Sequence, residues 1–411
     1  MTIIAVRTHR LSMPLHTPFV TALRTATTIE SLVVEIVDDD GRSGFGEAPE
    51  VWRVTGASLP GSAACVEALT PLLVGADPDD LVALTRRVAG AVVGNESAKA
   101  AIDVALHDLA ARRLEVPLAR MLGGSALRVG TDVTLAAGSP DAMAASALAR
   151  VAEGFTVLKM KVGTDAAGDL ARVAAVRAAV GPASGAGASA VSSGAGAGAG
   201  AGTRPGAEAG AGVSAGAGAG AEVSAGAVAG VSVGAGVTIR LDANQGWTPR
   251  EAVGVIRRIE DAGLGVEFVE QPVAAADLDG LAWVSDRVDT PVMADESVFS
   301  IRDLVEVIRR RAADLVNVKL AKCGGLGPAR TLLELARAQG MGTIVGSMME
   351  GQLGVAAAAS LAAAYGTTAV ADLDAAWWLA SPPLKDGMRY VGATVVLPDA
   401  PGLGVTLEGA R

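Results

Sequence analysis

The chain has 411 residues, half of them hydrophobic, a formal net charge of −10 and three histidines. That length holds one large or two ordinary domains with ample core, and the acidic balance argues against a nucleic-acid partner. His9, His16 and His107 precede the main strand series, which excludes a His-rich metal site or a His–Asp base in the later chain.

The N-terminal run MTIIAVRTHRLSM carries Arg7 and Arg10 inside its apolar stretch and lacks a cleavable apolar core, so it reads as a strand and not a signal peptide. A second strand region, ESLVVEIVDDDGRSGFGEA, turns at Asp40 and Gly41. Three helical patterns follow: SAACVEALTPLL, PDDLVALTRRVAGAV after a cap at Asp77, and ESAKAAIDVALHDLAARRL, which ends before Pro117. Residues 1–125 are thus expected to form an α+β unit. Cys65 and Cys323 are isolated and lack a CxxC partner, which fits a reducing compartment. A cytoplasmic protein without membrane association is expected.

From Val129 the rhythm becomes strand, helix, strand, helix, with strand-like runs near 129–137, 156–163, 237–243, 266–271, 291–296, 315–322, 342–348 and 369–373. Eight such runs predict an α/β fold of the (β/α)7β barrel type over 126–375, because no full helix follows the eighth. The strand-like TVVLP and GVTLE are expected to return to the first unit, so that 376–411 completes it. One stretch, 181–236, breaks the rhythm with repeated Gly-Ala and few large side chains. It has little to bury and is expected to be a disordered insertion. Arg204, Glu208 and Glu222 argue against a membrane span there. Joining a helix to the next strand, it belongs at the N-terminal face of the barrel, away from the chemistry.

Three of the runs, VTIRLDAN, VEFVEQP and PVMADES, end in Asp242, Glu270 and Asp295, which lie 28 and 25 residues apart. Carboxylates at successive strand ends of a closed barrel converge on one face, and three hard oxygen ligands without sulfur or imidazole suit Mg²⁺. A lone strand-end acid is ordinarily a helix cap or a surface charge, the reading given to Asn244 and Glu296. Lys159 and Lys161 are two apart on a strand and share a face, and Lys319 ends a strand on the opposite side of the barrel. Two ammonium groups and a divalent cation should lower each other's proton affinity, so that a lysine can act as a base near neutral pH. Such a site suits removal of the proton α to a carboxylate, with the charge collected as an enediolate. A lysine on each face makes the outcome epimerisation or racemisation.

These motifs, KMK at 159–161, DAN at 242, EQP at 270, DES at 295 and KLAKCGG from 319, resemble the enolase superfamily in its muconate-cycloisomerase-like subgroup. The resemblance spans nearly the whole chain outside the insertion. It implies an enolase-like capping domain over a modified TIM barrel, one Mg²⁺ per subunit on Asp242, Glu270 and Asp295, Lys161 and Lys319 as the acid–base pair, and Lys159 at the substrate carboxylate. Two further segments, TPFVTALRTATTIESLVVEI and ADLDAAWWL, resemble those of dipeptide epimerases. They imply that Asp372 and Asp374 bind a dipeptide's free ammonium and that Arg24 binds a glutamate side chain. Thr134, Ser347 and Met349 match substrate-site positions, although Met349 also reads as core and the DLD run as the cap of a turn. The expected partner is a small dipeptide, best Ala-Glu, and a homo-oligomer is compatible with the sequence. An N-acylamino acid racemase, an o-succinylbenzoate synthase, a cycloisomerase and a non-catalytic metal-binding relative are the alternatives.

Overall fold

The computed structural model describes residues 1–20, 25–183 and 236–406. Arg24 and nearly all of the 181–236 tract therefore lie outside the described residues. The N-terminal unit begins with three antiparallel strands, β1 (Ile3–Val20), β2 (Thr25–Asp38) and β3 (Ser43–Pro49). The β2–β3 turn falls at the expected Asp-Gly pair, with Gly41 at φ +78° and the Asp38 carboxylate accepting from the backbone of Asp40 and Arg42. Helices α1 (Leu59–Leu69), α2 (Leu81–Ala91) and α3 (Glu96–Arg113) cover one face. Ile3, Leu32, Ile36, Leu69, Leu84 and Ile102 form their shared core. The expected cap of α2 is displaced: Asp77 accepts from Asp79 N in the preceding turn, while Asp80 holds the cap position.

A short helix α4 (Leu118–Met121) leads to the barrel. Its strands and helices alternate as β4 (Arg128–Gly130), β5 (Val133–Leu135), α5 (Pro140–Ala152), β6 (Val157–Lys161), α6 (Ala166–Val180), β7 (Thr238–Asp242), α7 (Pro249–Asp261), β8 (Val266–Glu270), α8 (Leu278–Ser285), β9 (Val292–Ala294), α9 (Ile301–Arg310), β10 (Leu315–Lys319), α10 (Leu320–Cys323), α11 (Leu326–Ala338), β11 (Gly342–Gly346) and α12 (Gln352–Tyr365). Strands β5 to β11 form one parallel sheet in sequence order.

Two expectations are corrected here. The first barrel run divides into β4, which pairs with C-terminal strands, and β5, which enters the barrel. The eighth is no full strand: residues 371 and 372 close the ring through two parallel bridges, Thr131 to Ala371 and Gly346 to Asp372. After a 3₁₀ turn at Ala375–Trp378 come β12 (Lys385–Asp386), β13 (Arg389–Tyr390), β14 (Thr394–Val396) and β15 (Val405–Thr406). The TVV strand pairs with β4 beside the barrel, and the final segment returns to the N-terminal unit, where Leu403 N donates to Asp108 and Arg112 to the Val405 carbonyl. Among the described residues no helix is long and apolar enough to cross a membrane.

Candidate active site

The barrel brings its charges together at the C-terminal ends of the strands. Lys161, Asp242, Glu270 and Lys319 are the last residues of β6, β7, β8 and β10, and Asp295 directly follows β9. In a ring closed by residues 371–372, β6 and β10 stand four positions apart and face each other. Strand pairing sets Lys161 opposite Asp242 and Asp242 opposite Glu270, so the register delivers these groups at one level.

Each carboxylate is buried and matched to ammonium groups. Lys161 Nζ lies 2.6 Å from Asp242, and Lys159 Nζ lies 3.0 Å from Asp242, 2.5 Å from Glu270 and 2.8 Å from Asp372. Lys319 Nζ is 2.7 Å from Asp295 and 3.8 Å from Glu270. Lys322, in the KLAKCGG run, grips both Asp295 Oδ1 and its carbonyl at 2.5 Å. Asn317 Nδ2 joins Glu270 (2.9 Å) to Asp372 (3.3 Å) across the floor.

The proton affinities follow from this crowding. Burial alone would raise Asp242 and Asp295, but the lysines outweigh it and hold both well below the ordinary carboxylate range. Glu270 is pushed up to about 8 by burial and then by the Asp242 charge. Burial disfavours the charged forms of Lys159 and Lys319, yet the surrounding carboxylates win and both stand above the usual lysine value. The sign is opposite to the expected lowering. Facing carboxylates alone, an ammonium is stabilised, whereas a divalent cation among the same oxygens would act in the opposite direction.

Beside this group stands a second acidic set. Among the described residues, oxygens of Asp132, Asp372 and Asp374 all lie within 4.8 Å of one another. Asp132 is paired to the buried Arg240 at 2.9 Å, and Asp372 to Lys159. Asp374 accepts from Thr134 N (2.7 Å) and Trp378 Nε1 (3.1 Å) and pairs with no cation among the described residues, and burial and the Asp372 charge raise it. Its side chain does not cap the 3₁₀ turn that follows, which removes the turn-capping reading of DLD.

One cavity is lined by Thr134, Lys159, Lys161, Asp295, Lys319, Ser347, Met349, Asp372 and Asp374. Asp242 and Glu270 lie beneath it, fully buried. Met349 lines the cavity and also packs on the core. Asn244 and Glu296, read as ordinary strand-end polar groups, line the cavity as well and bond to each other at 3.2 Å. Burial and the charges of Asp295 and Asp242 push Glu296 up to about 7. Phe19, Val51, Arg53 and Val54 of the N-terminal unit also line the wall; Phe19 falls within the TPFVTALRTATTIESLVVEI segment, and no sequence motif marks the other three. Met348, beside the expected pair, lines it too.

Comparison with known proteins agrees with this geometry. Residues 3–123 match the mandelate racemase/muconate lactonizing enzyme N-terminal domain, and residues 213–411 match the enolase C-terminal domain-like family. The L-Ala-D/L-Glu epimerase of Bacillus subtilis is 40% identical over 98% of this chain and 97% of its own length. The chain belongs to the enolase superfamily. The substrate-liganded structure of the Bacillus subtilis L-Ala-D/L-Glu epimerase superposes with a TM-score of 0.84 at 39% identity, covering 98% of this chain and 99% of that one. A dipeptide epimerase of Enterococcus faecalis, solved with Mg and L-Leu-L-Tyr, gives 0.82 at 32%, covering 99% and 100%. The enolase-like architecture of capping unit and barrel is therefore that of the superfamily.

Proposed function

We propose that this superfamily member is a Mg²⁺-dependent dipeptide epimerase that inverts the α-carbon of the C-terminal residue, with L-Ala-L/D-Glu as the best substrate. The observation that carries the reading is the placement of Lys161 and Lys319 on strands four positions apart, facing one cavity whose third corner is Asp372 with Asp374.

The residues present fit a divalent cation. Asp242, Glu270 and Asp295 supply an oxygen-only donor set at no more than 2% exposure, and Glu270 Oε2 takes no hydrogen bond and meets only the Lys159 ammonium. In the proposed assignment these three would hold one Mg²⁺, which would supply positive charge to stabilise the enediolate. Lys159 stands at that carboxylate. Lys161 and Lys319 each face the α-carbon from one side, one taking its proton and the other returning one to the opposite face. The Asp372 and Asp374 carboxylates seat the free ammonium, which the uncompensated Asp374 would welcome. Thr134, Ser347 and Met349 shape the remaining wall, and Arg24 is assigned to the glutamate side chain from the superfamily resemblance alone.

The same reading divides the chain into a capping domain, 1–125 completed by 376–411, and a catalytic barrel, 126–375. The buried unpaired Cys65 and Cys323 support a cytoplasmic location.

Incubation with Mg²⁺ and a dipeptide library in D₂O, followed by NMR of the α-proton, tests the proposal. Ala-Glu should exchange fastest, and no exchange across the library overturns the assignment. If N-acetylated dipeptides turn over as well as free ones, the aspartate pair has another role and an N-acylamino acid racemase becomes the better reading.

A further inference from the structure

Helix α12 begins at the floor of the cavity wall and provides no side-chain cap of its own; its cap position is Gly351. The first amides of a helix have no partner within it and sit at its positive end. Here a carboxylate from the N-terminal unit fills the place. Glu47 on β3, 5% exposed, accepts through Oε1 from Gly351 N (2.6 Å) and Ser31 Oγ (2.6 Å) and through Oε2 from Gly354 N (3.0 Å). The residues just ahead of Gly351 are those of the cavity wall: Ser347, Met348 and Met349. Between wall and helix stands Glu350, 2% exposed, whose Oε1 accepts from Met348 N at 2.7 Å.

The fit leaves no slack. A Cβ on Gly351 would lie 2.9 Å from Glu47 Oε1 and from the Met13 sulfur, and one on Gly354 would overlap the Glu350 carboxylate. Glu47 and Glu350 are held by the Gly351, Gly354 and Met348 amides and the Ser31 hydroxyl. Two buried acids thus share one helix terminus.

We infer that Glu47 is a latch between the two units, a positioning residue that, with Glu350 beside it, fixes the start of α12 and through it the Ser347–Met349 wall of the substrate cavity. Burial and the neighbouring Glu47 charge push Glu350 up to about 8, so near neutral pH Glu350 holds its proton. The charged groups acting on Glu350 are Glu47 on β3, which opposes its ionisation, and Lys319 at the end of β10, which favours it. Loss of that proton puts two negative charges at one buried terminus, and the latch loosens as pH passes about 8.

The kinetic test rests on the epimerase reading; a second test does not. KM and kcat for the dipeptide are measured from pH 7 to about 9 in the wild type, Glu350→Gln and Glu47→Gln, the range being set by the acid that titrates. The wild type should show KM rising above about pH 8 with kcat less affected, Glu350→Gln should lose that rise, and Glu47→Gln should have KM raised on the order of ten-fold already at neutral pH. The same alkaline rise in Glu350→Gln, or an unchanged KM in Glu47→Gln, overturns the latch. Because Glu47→Gln can also unfold the chain, amide exchange of the wild type is followed over the same range, corrected for intrinsic rate. Protection of residues 347–355 should fall above about pH 8 while that of β6 does not. Constant protection overturns the latch for any substrate, and lost protection without dipeptide turnover sinks only the epimerase reading.

Discussion

At the scale of single residues, the proposed chemistry rests on two lysines whose surroundings differ. Lys161 touches Asp242, whereas Lys319 is divided between Asp295 and Glu270, so the two bases are held by different members of the proposed metal set. If each serves one face of the α-carbon, Lys161→Ala and Lys319→Ala should each abolish epimerisation, by at least about 10²-fold. Each variant should keep solvent exchange on one enantiomer only, read by deuterium incorporation into pure L,L and L,D dipeptides. Unchanged activity in either rules out the two-base scheme. Asp374 gives an independent handle, because it is buried and, among the described residues, pairs with no cation. Asp374→Asn keeps the shape and removes the charge, so KM for a free dipeptide should rise on the order of 10- to 100-fold while an N-acetylated one is little affected. An equal effect on both would mean that the aspartate supports the wall and not the ammonium.

At the scale of elements, the lysine pair was readable in the sequence because a strand repeats every two residues, so spacing alone places both members on one face, whereas the Asp-x-Asp pair was marked only by its resemblance to dipeptide epimerases. The eighth strand was not readable: its apolar run is real, but only residues 371 and 372 pair, and the chain then turns so that Asp374 can accept from Trp378. Asn244 and Glu296 were unreadable for a related reason, since each belongs to the site through a partner on another strand end. The approach of β3 to α3 is a third case. Gly44 and Gly46 look like turn residues, yet a Cβ on Gly46 would overlap the Ala101 carbonyl and one on Gly44 that of Ala105. Both strand and helix here are backbone surfaces that cannot rotate away. Gly46→Ala should therefore destabilise by about 3 kcal/mol, the upper end for overpacking, measured as a fall in urea midpoint. A loss well under about 1 kcal/mol would show that β3 can shift off the helix.

Across the whole molecule, the site is assembled from both units, and the aromatic contacts show how they are fastened. His16 stacks on Trp378 at 5.5 Å, Phe19 meets the same ring edge-on at 5.0 Å, and Leu15 bridges to Leu379, so the end of β1 is tied to the turn after Asp374. These ties, with Glu47 on α12, hold the wall from two directions at the C-terminal face. The opposite face has its own tie. Arg177 on α6 donates from one nitrogen to the carbonyls of both Gly181 (3.1 Å) and Val237 (2.8 Å), and it also holds Leu264 and Gly265. The two chain ends that flank residues 184–235 are thus pinned to one guanidinium at the N-terminal side of β7, the far end of the strand from Asp242. Replacing 184–235 by about four glycine and serine residues should then leave kcat/KM within about three-fold, because both ends are fixed by contacts that do not involve the removed segment. Closing a shorter connection lowers its entropic cost, so the melting temperature should stay level or rise. A large loss of activity with the melting temperature preserved would show that the tract takes part in function, and would place its action on the face of the barrel opposite the lysines.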